Sequence, residues 1–575
     1  MYFLCAFLRN IFHAKAQRLK EKNKSLILFT ANNDYCLSGK IYTHLKALEF
    51  FDIAKMIVMF RRRLNMVLMI VLALALIGVA WPAKQVKKKS PDRPNIILII
   101  ADDLGYSDLA SYGNISIHTP NIDSLGIGGI RFTRAYVTSP ICAPSRMGIM
   151  TGRYQNRFGS EYMPYDKFDP SFLKYLRKHY FSLRKNISGL RTLKPHRDLN
   201  KNKYRTGLDR HEITLGELFK KQNYATGLVG KWNLGDDTGN HPIDRGFDYC
   251  YYFDGALTRY VDDPVDTTRF VNKHLPWAFS ELPAWTPRGG ATAIREGRNI
   301  VKDTGYLTFS LARKSVEFIE RNKDHPFFLT LAFNAPHDPF QVPKSYFDRL
   351  HNVRDTVKRV YYGMIEALDD AIGEIVRKLK EANIDEQTMI MFISDNGGAT
   401  YTRATDNAPL RGGKCTHFEG GLLVPFFIKY PAMIHGSQQY DKPVSSLDIF
   451  ATMSAVAKIP LATDRLYDGV NLIPFLTGNT ERPHKIFYWR SGYSKAIVSE
   501  NWKLYVNGKS KKKFLFDLSN DIEERNDLSG RFPDKVKELM QDLEMWEKAN
   551  TIHPAWPSAA DVLINVRGEE YYFPS

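Results

Sequence analysis

The sequence predicts an α/β fold, with a largely parallel sheet between helices and a smaller C-terminal α+β domain carrying an antiparallel sheet. Three observations predict it. Short apolar runs of strand length recur along the middle of the chain and alternate with amphipathic stretches, the order of a parallel sheet with crossover helices. Polar residues collect just past the carboxyl ends of these runs, where open α/β sheets bind ligands. From about Glu481 the alternation gives way to closely spaced short runs and one last amphipathic helix.

At 575 residues the chain can bury a sizeable core and form more than one domain. Its 44% hydrophobic and 25% charged content is ordinary for a globular protein. The net charge of +18 is unevenly spread: residues 1–90 hold 16 basic and 4 acidic residues, which leaves +6 for the rest. The excess belongs to the N-terminal segment, so the charge does not argue for a nucleic-acid partner. Residues 1–55 read as an N-terminal extension of doubtful membership, because Met56, Met59 and Met66 are alternative starts. Residues 56–83 follow as a signal. Arg61-Arg62-Arg63 precedes an apolar run from Met66 to Ala80, and Gly78-Val79-Ala80 offers a small-residue cleavage site. Cleavage gives a secreted or periplasmic protein, and an uncleaved signal would anchor it to a membrane. Residues 84–91 form a basic linker with Lys84, Lys87, Lys88 and Lys89.

Residues 92–480 hold the α/β domain. Strand Asn95–Ile100 runs into Asp102-Asp103. Cys142-Ala143-Pro144-Ser145-Arg146, followed by Thr151-Gly152, reads as a helix opening on a cysteine. Pro suits a first helical turn, free N–H groups there attract an anion, and Arg146 adds a planar cation. Residues 164–205 are rich in Lys and Arg without periodicity, which reads either as a solvated insertion or as a surface for an anionic polymer. Helix Ile213–Lys220 leads to strand Ala225–Val229, which ends in Gly230-Lys231. Aromatic residues at Tyr249–Phe253 suit the core better than a sugar-facing surface. Helix Tyr306–Arg321 precedes strand Phe327–Phe333, which ends at Pro336-His337. Helix Tyr361–Ala382 precedes Met389–Ile393, which ends at Ser394-Asp395-Asn396. Arg411-Gly412-Gly413-Lys414 and Glu419-Gly420-Gly421 then lead to a last run, Leu422–Ile428.

Residues 481–575 make the second domain. Short runs at Ile486–Trp489, Lys495–Val498, Lys503–Val506 and Lys513–Asp517 precede a helix with Val536, Leu539, Met540, Leu543 and Trp546 on one face. Five cysteines are too few for a disulfide scaffold. A single Cys250–Cys415 bridge is conceivable, while Cys142 is claimed by its motif.

The pattern C-x-P-S-R-x4-T-G resembles the signature of the type I sulfatases, a family of the alkaline phosphatase superfamily. Gly230-Lys231-Trp232, Arg411-Gly412-Gly413-Lys414 and Leu515-Phe516-Asp517-Leu518 resemble further family segments, and the resemblance covers about Asp92 to Leu528. It implies an alkaline-phosphatase-like fold and hydrolysis of a sulfate ester. Cys142 would be oxidised to formylglycine by a formylglycine-generating enzyme, and its hydrated aldehyde would attack sulfur. Ca²⁺ would be held by Asp102, Asp103, Asp395, Asn396 and an oxygen of modified Cys142. Oxygen donors of this kind suit a hard cation, and nothing resembles a Cys/His zinc site. Arg146, Lys231 and Lys414 would bind the sulfate, and His337 would protonate the leaving alkoxide. Position 233 departs from the family, which reads Gly-Lys-Trp-His-Leu-Gly where this chain has Asn233. That histidine takes a proton from the formylglycine diol so that sulfate can leave, and an amide cannot serve as that base. Secretion and the basic insertion favour a sulfated carbohydrate as substrate. The alternatives are a phosphonate or phosphodiester hydrolase of the same superfamily, and an inactive protein that binds sulfated glycans.

Overall fold

The computed structural model describes residues 93–164, 190–192, 207–235, 239–262, 266–273, 288–478 and 480–574, with Met59, Arg62, Asn65, Met66 and Met69 besides. The extension 1–55, the linker 84–91, all but those five residues of the signal 56–83, and most of the basic insertion lie outside the described residues. Residues 88–575 form one compact unit and residues 1–87 another. Among the described residues, no helix is long and apolar enough to cross a membrane.

The main sheet has ten strands. In chain order they are β1 (Asn95–Asp102), β2 (Ile130–Phe132), β3 (Ala225–Lys231), β4 (Tyr249–Phe253), β5 (Arg295–Glu296), β6 (Asn299–Ile300), β7 (Phe327–Pro336), β8 (Thr388–Ser394), β9 (Phe426–Lys429) and β10 (Gln438–Tyr440). Across the sheet the order is β10-β2-β9-β8-β1-β7-β3-β4-β5-β6. β8, β1, β7, β3 and β4 run parallel. β9 joins β8 antiparallel, and β5 joins β4 antiparallel. The predicted run Leu422–Ile428 is split. Glu419–Leu422 forms a helical turn, and the strand begins only at Phe426, after Pro425; a proline cannot donate to a ladder.

β1 is buried along its whole length, as its unbroken apolar run requires of a two-sided sheet. Ile97 and Ile99 face one core, with the helices Leu307–Asn322 and Thr356–Glu381. Ile96, Leu98 and Ile100 face the other, with Cys142–Thr151, Leu215–Lys220 and Asp448–Val456. Each such side chain taken from water contributes about 1.5–3 kcal/mol. Tyr251 and Tyr252 of β4 are core residues too.

The C-terminal strands Ile486–Ser491, Ser494–Ser499, Trp502–Asn507 and Lys512–Asp517 form an antiparallel meander. Leu539, Leu543 and Trp546 of the helix Pro533–Asn550 are buried against it. A second small sheet pairs Asp561–Val566 with Glu569–Pro574 and with Leu190–Thr192. Part of the basic insertion is thus a strand, formed by a partner far along the chain. The conceivable Cys250–Cys415 bridge is absent: Cys142, Cys250 and Cys415 are all free and buried.

Candidate active site

Four parallel strands deliver the predicted residues to one edge of the sheet. Ala101 pairs with Ser394 and Asp102 with Pro336, while Gly230 lies opposite Ala332. This register brings Asp102, Asp395, His337 and Lys231 to the same edge. Gly230 has φ 110°, and a Cβ there would sit 1.9 Å from the Ala332 carbonyl oxygen, so only glycine lets β3 close on β7 just before Lys231.

Cys142 comes from a helix whose ten residues are all buried. Pro144 sits in its first turn, and the first helical bond runs from Ser145 N–H to the Ile141 carbonyl at 3.3 Å. Gly152 ends it in the left-handed region at φ 67°, its N–H donating to Gly148 at 2.9 Å, which accounts for the Thr-Gly of the motif. Burial pushes the Cys142 thiol up to about 12, against the pull of Lys231 and Lys414. A thiol held neutral in this way is a weak nucleophile.

Ligand atoms of Asp102, Asp103, Cys142 and His337 all lie within 4.8 Å of one another. Asp395 and Asn396 join this group. Asp395 Oδ1 accepts the Asp103 N–H at 3.3 Å, and Asn396 Nδ2 donates to Asp103 Oδ1 at 2.7 Å. The cations lie directly on the acids. Lys231 Nζ donates to Asp102 Oδ2 at 2.7 Å and Arg146 Nε to Asp395 Oδ2 at 2.7 Å. Lys414 Nζ donates to Asp103 Oδ2 at 2.8 Å. Burial raises the Asp102 carboxyl, but Lys231, His337 and Arg146 outweigh it and hold it below the ordinary range. Asp395 stays above that range, raised by burial and by Asp102. Asp103 pushes the Lys414 ammonium well up despite the opposing effect of burial. Asp102 Oδ1, Asn396 Oδ1 and Arg146 Nη2 are buried with no hydrogen-bond partner. Orphaned oxygens among hard donors fit a divalent cation such as Ca²⁺.

The loop that carries Lys414 is itself held. Lys414 N–H donates to the Gly398 carbonyl at 3.1 Å and Cys415 N–H to the Pro140 carbonyl at 2.9 Å. The Asn407 amide donates to the Gly398 and Gly412 carbonyls, both at 3.0 Å, and accepts the Gly398 N–H at 3.0 Å. One side chain thereby ties the turn after Asp395-Asn396 to the turn before Lys414.

Known proteins share this architecture. The sequence matches the sulfatase family over residues 94–459, well over half of the chain. The chain belongs to the sulfatase family. It is 28% identical to human steryl-sulfatase, covering 81% of this chain and 88% of that protein. It is 30% identical to human N-acetylgalactosamine-6-sulfatase, with 70% and 69% covered. The crystal structure of Ps i-CgsB in complex with k-i-k-neocarrahexaose superposes with a TM-score of 0.67 at 32% identity, covering 81% of this chain and 94% of that one. The protein is therefore a sulfuric ester hydrolase with an alkaline-phosphatase-like fold.

Within this sulfatase, Asn233 is buried at φ 57° and its Oδ1 has no hydrogen-bond partner. Asn and His are both enriched in that left-handed region, so the backbone accommodates either. Sequence reasoning missed Asp338. Its main-chain oxygen accepts from His337 Nδ1 at 2.6 Å, and its carboxylate Oδ1 lies 3.1 Å from the same nitrogen. His337 Nε2 meets Lys414 Nζ at 2.9 Å. An ammonium can only donate there, which leaves the ring proton on Nδ1. The position next to His337 was the available signal for Asp338. Asn407 carried none, since its partners are backbone groups brought together by the fold.

Proposed function

We propose that this sulfatase is a secreted enzyme that removes sulfate from a sulfated carbohydrate, using formylglycine made from Cys142 and a bound Ca²⁺. The observation that carries the reading is the buried convergence of Asp102, Asp103, Cys142 and His337, with Lys231 and Lys414 upon it. The carbohydrate class is supported by the 32% identity to the carrahexaose-bound structure and the 30% identity to N-acetylgalactosamine-6-sulfatase.

Asp102, Asp103, Asp395 and Asn396, with the oxygen of modified Cys142, would hold the cation. Once bound, Ca²⁺ supplies positive charge beside the sulfate oxygens, and the hydrated aldehyde of formylglycine supplies the nucleophile toward sulfur. Lys231 and Lys414 bind the sulfate and oppose the charge that develops on its oxygens. Arg146 fixes the carboxylates: Nε is taken by Asp395, Nη1 donates to the Lys231 carbonyl at 3.3 Å, and Nη2 lies 3.7 Å from Asp102 Oδ1, beyond hydrogen-bond reach, where it can also serve the sulfate. His337 is steadied at Nδ1 by Asp338; when Lys414 turns from its Nε2 to the sulfate, Nε2 is free to take up a proton and pass it to the leaving alkoxide.

Mass spectrometry of the Cys142 peptide, from protein made in its own host, tests the mechanism. An aldehyde in place of the thiol is expected, and an intact thiol in active protein would overturn it. Removing Ca²⁺ with a chelator should lower the melting temperature, and adding it back should restore it. Saturation at 100 times Kd is worth about 2.7 kcal/mol. An unchanged melt would count against the metal.

A further inference from the structure

The loop from Arg411 to Glu419 brings Lys414 to the site, yet both of its ends are fastened by the C-terminal region. At its start, Arg411 Nη1 donates to the Glu524 carbonyl and Nη2 to the Tyr571 hydroxyl, each at 2.8 Å. At its end, the Glu419 N–H donates to Glu524 Oε2 at 2.7 Å. Lys503 Nζ then bridges Glu419 Oε1 at 2.7 Å and Glu524 Oε1 at 2.9 Å, and all three side chains are fully buried. Tyr136 closes the cluster by donating to Glu419 Oε2 at 2.8 Å. Between the two ends, the Phe418 ring packs edge-on against Tyr505 and Tyr571, with centroids 4.8 and 5.1 Å apart.

The loop needs such support. Gly412 at φ 71° and Gly413 precede Lys414 and bring no side chains to stiffen it. A lysine ammonium rides on a flexible four-carbon stem, so its place depends on where the backbone is held. We infer that Glu524, together with Lys503, is a positioning residue of the sulfatase reaction. It locks the two ends of the Arg411–Glu419 loop so that Lys414 Nζ is aimed at the sulfate. Glu524 acts through Arg411 and Glu419 and is not itself a catalytic residue. The inference rests on the reading that Lys414 binds sulfate.

The test uses the full chain, with calorimetric titration of inorganic sulfate and steady-state hydrolysis of 4-nitrophenyl sulfate. Glu524→Ala should weaken sulfate binding and raise KM by about 10- to 100-fold, the scale set by ångström misplacement of a binding group. Glu524→Gln should restore most of both, because its amide oxygen still accepts the Glu419 N–H. Tyr571→Phe, a milder change, should raise KM a few-fold with the melt close to the parent, and it serves if Glu524→Ala does not fold. Parent-like sulfate affinity and KM in folded Glu524→Ala, or in Tyr571→Phe if the alanine variant does not fold, would overturn the inference. So would equal loss in the Ala and Gln variants in step with their melting temperatures. Parent-like sulfate binding by Lys414→Met would instead overturn the reading of Lys414.

Discussion

Two buried charge clusters meet the same loop, one at Lys414 within it and the other at its ends, and they are built differently. At the strand ends, Lys231, Lys414 and Arg146 sit on Asp102, Asp103 and Asp395, yet Asn396 Oδ1 has no hydrogen-bond partner, and Asp102 Oδ1 and Arg146 Nη2 face each other only at 3.7 Å, beyond hydrogen-bond reach. Beside the C-terminal sheet, one ammonium serves Glu419 and Glu524; three of the four carboxylate oxygens accept hydrogen bonds, and the fourth, Glu524 Oε1, lacks that geometry but lies 2.9 Å from Lys503 Nζ. A buried polar group left unpaired costs free energy. An arrangement that keeps such groups on three side chains is held for a ligand, whereas one whose single unbonded oxygen still faces an ammonium at close range is held for shape. The first cluster should therefore answer to changes in activity, and the second to changes in stability and loop placement.

The largest effect should come from Cys142→Ala. With the proposed nucleophile gone, sulfate release should fall by about 10⁴-fold or more, while the melt stays near that of the parent because little volume is lost. A variant retaining a tenth of the activity would break the assignment of the nucleophile. Next, equivalent changes in the two clusters separate their roles. Lys414→Met should lower kcat/KM by about 10²- to 10³-fold, the cost of one group opposing transition-state charge. Lys503→Met strands two buried glutamates and should destabilise the protein by about 3–5 kcal/mol, read as a shift in the urea midpoint. Similar stability losses with similar activities in both variants would erase the distinction.

The strand ends were legible because they depend on local sequence. An apolar run followed by Asp-Asp, Gly-Lys or Asp-Asn announces both the strand and the residue at its end, and parallel pairing then gathers those ends. The second cluster could not be read in this way. Lys503 and Glu524 carry no local signal and Glu419 shows only its Glu-Gly-Gly segment, and only the packing of the meander on the Lys414 loop buries them together. Leu190–Thr192 escaped for the same reason, since its partner is Val562–Ile564. At Pro425 the sequence did hold the signal for a later strand start, and the apolar run masked it.

A pH experiment sharpens the contrast. Burial pushes the Glu524 carboxyl from 4.5 up to about 7, with Glu419 adding to the rise and Lys503 opposing it. The folded state thus binds this proton more tightly than the unfolded state does. The resulting stability is full below pH 4.5 and is lost as pH rises through 7, a change on the order of 3 kcal/mol. Glu524→Gln cannot titrate, so the difference in stability between parent and variant should slope across this range and level off on either side. Parallel urea midpoints for the two proteins at pH 5 and pH 8 would remove Glu524 from the pH response.

The smallest expected effect tests whether Asn233 belongs with the open cluster. Its buried Oδ1 has no hydrogen-bond partner, as in a group that waits for a ligand, but an amide cannot take up a proton at neutral pH. The φ of 57° accepts histidine as readily as asparagine, so Asn233→His should fold without strain. With an ordinary pKa near 6.5, the imidazole would give the sulfate-releasing step the base it lacks. Single-turnover sulfate release should then rise by about 10-fold, at the modest end for general-base catalysis, and gain a new limb near pH 6.5. If release stays level or falls, the base is already supplied by another group, such as Asp395 or water. Asn233 then holds its place through its left-handed backbone, unlike Asn407, whose side-chain amide ties two turns together.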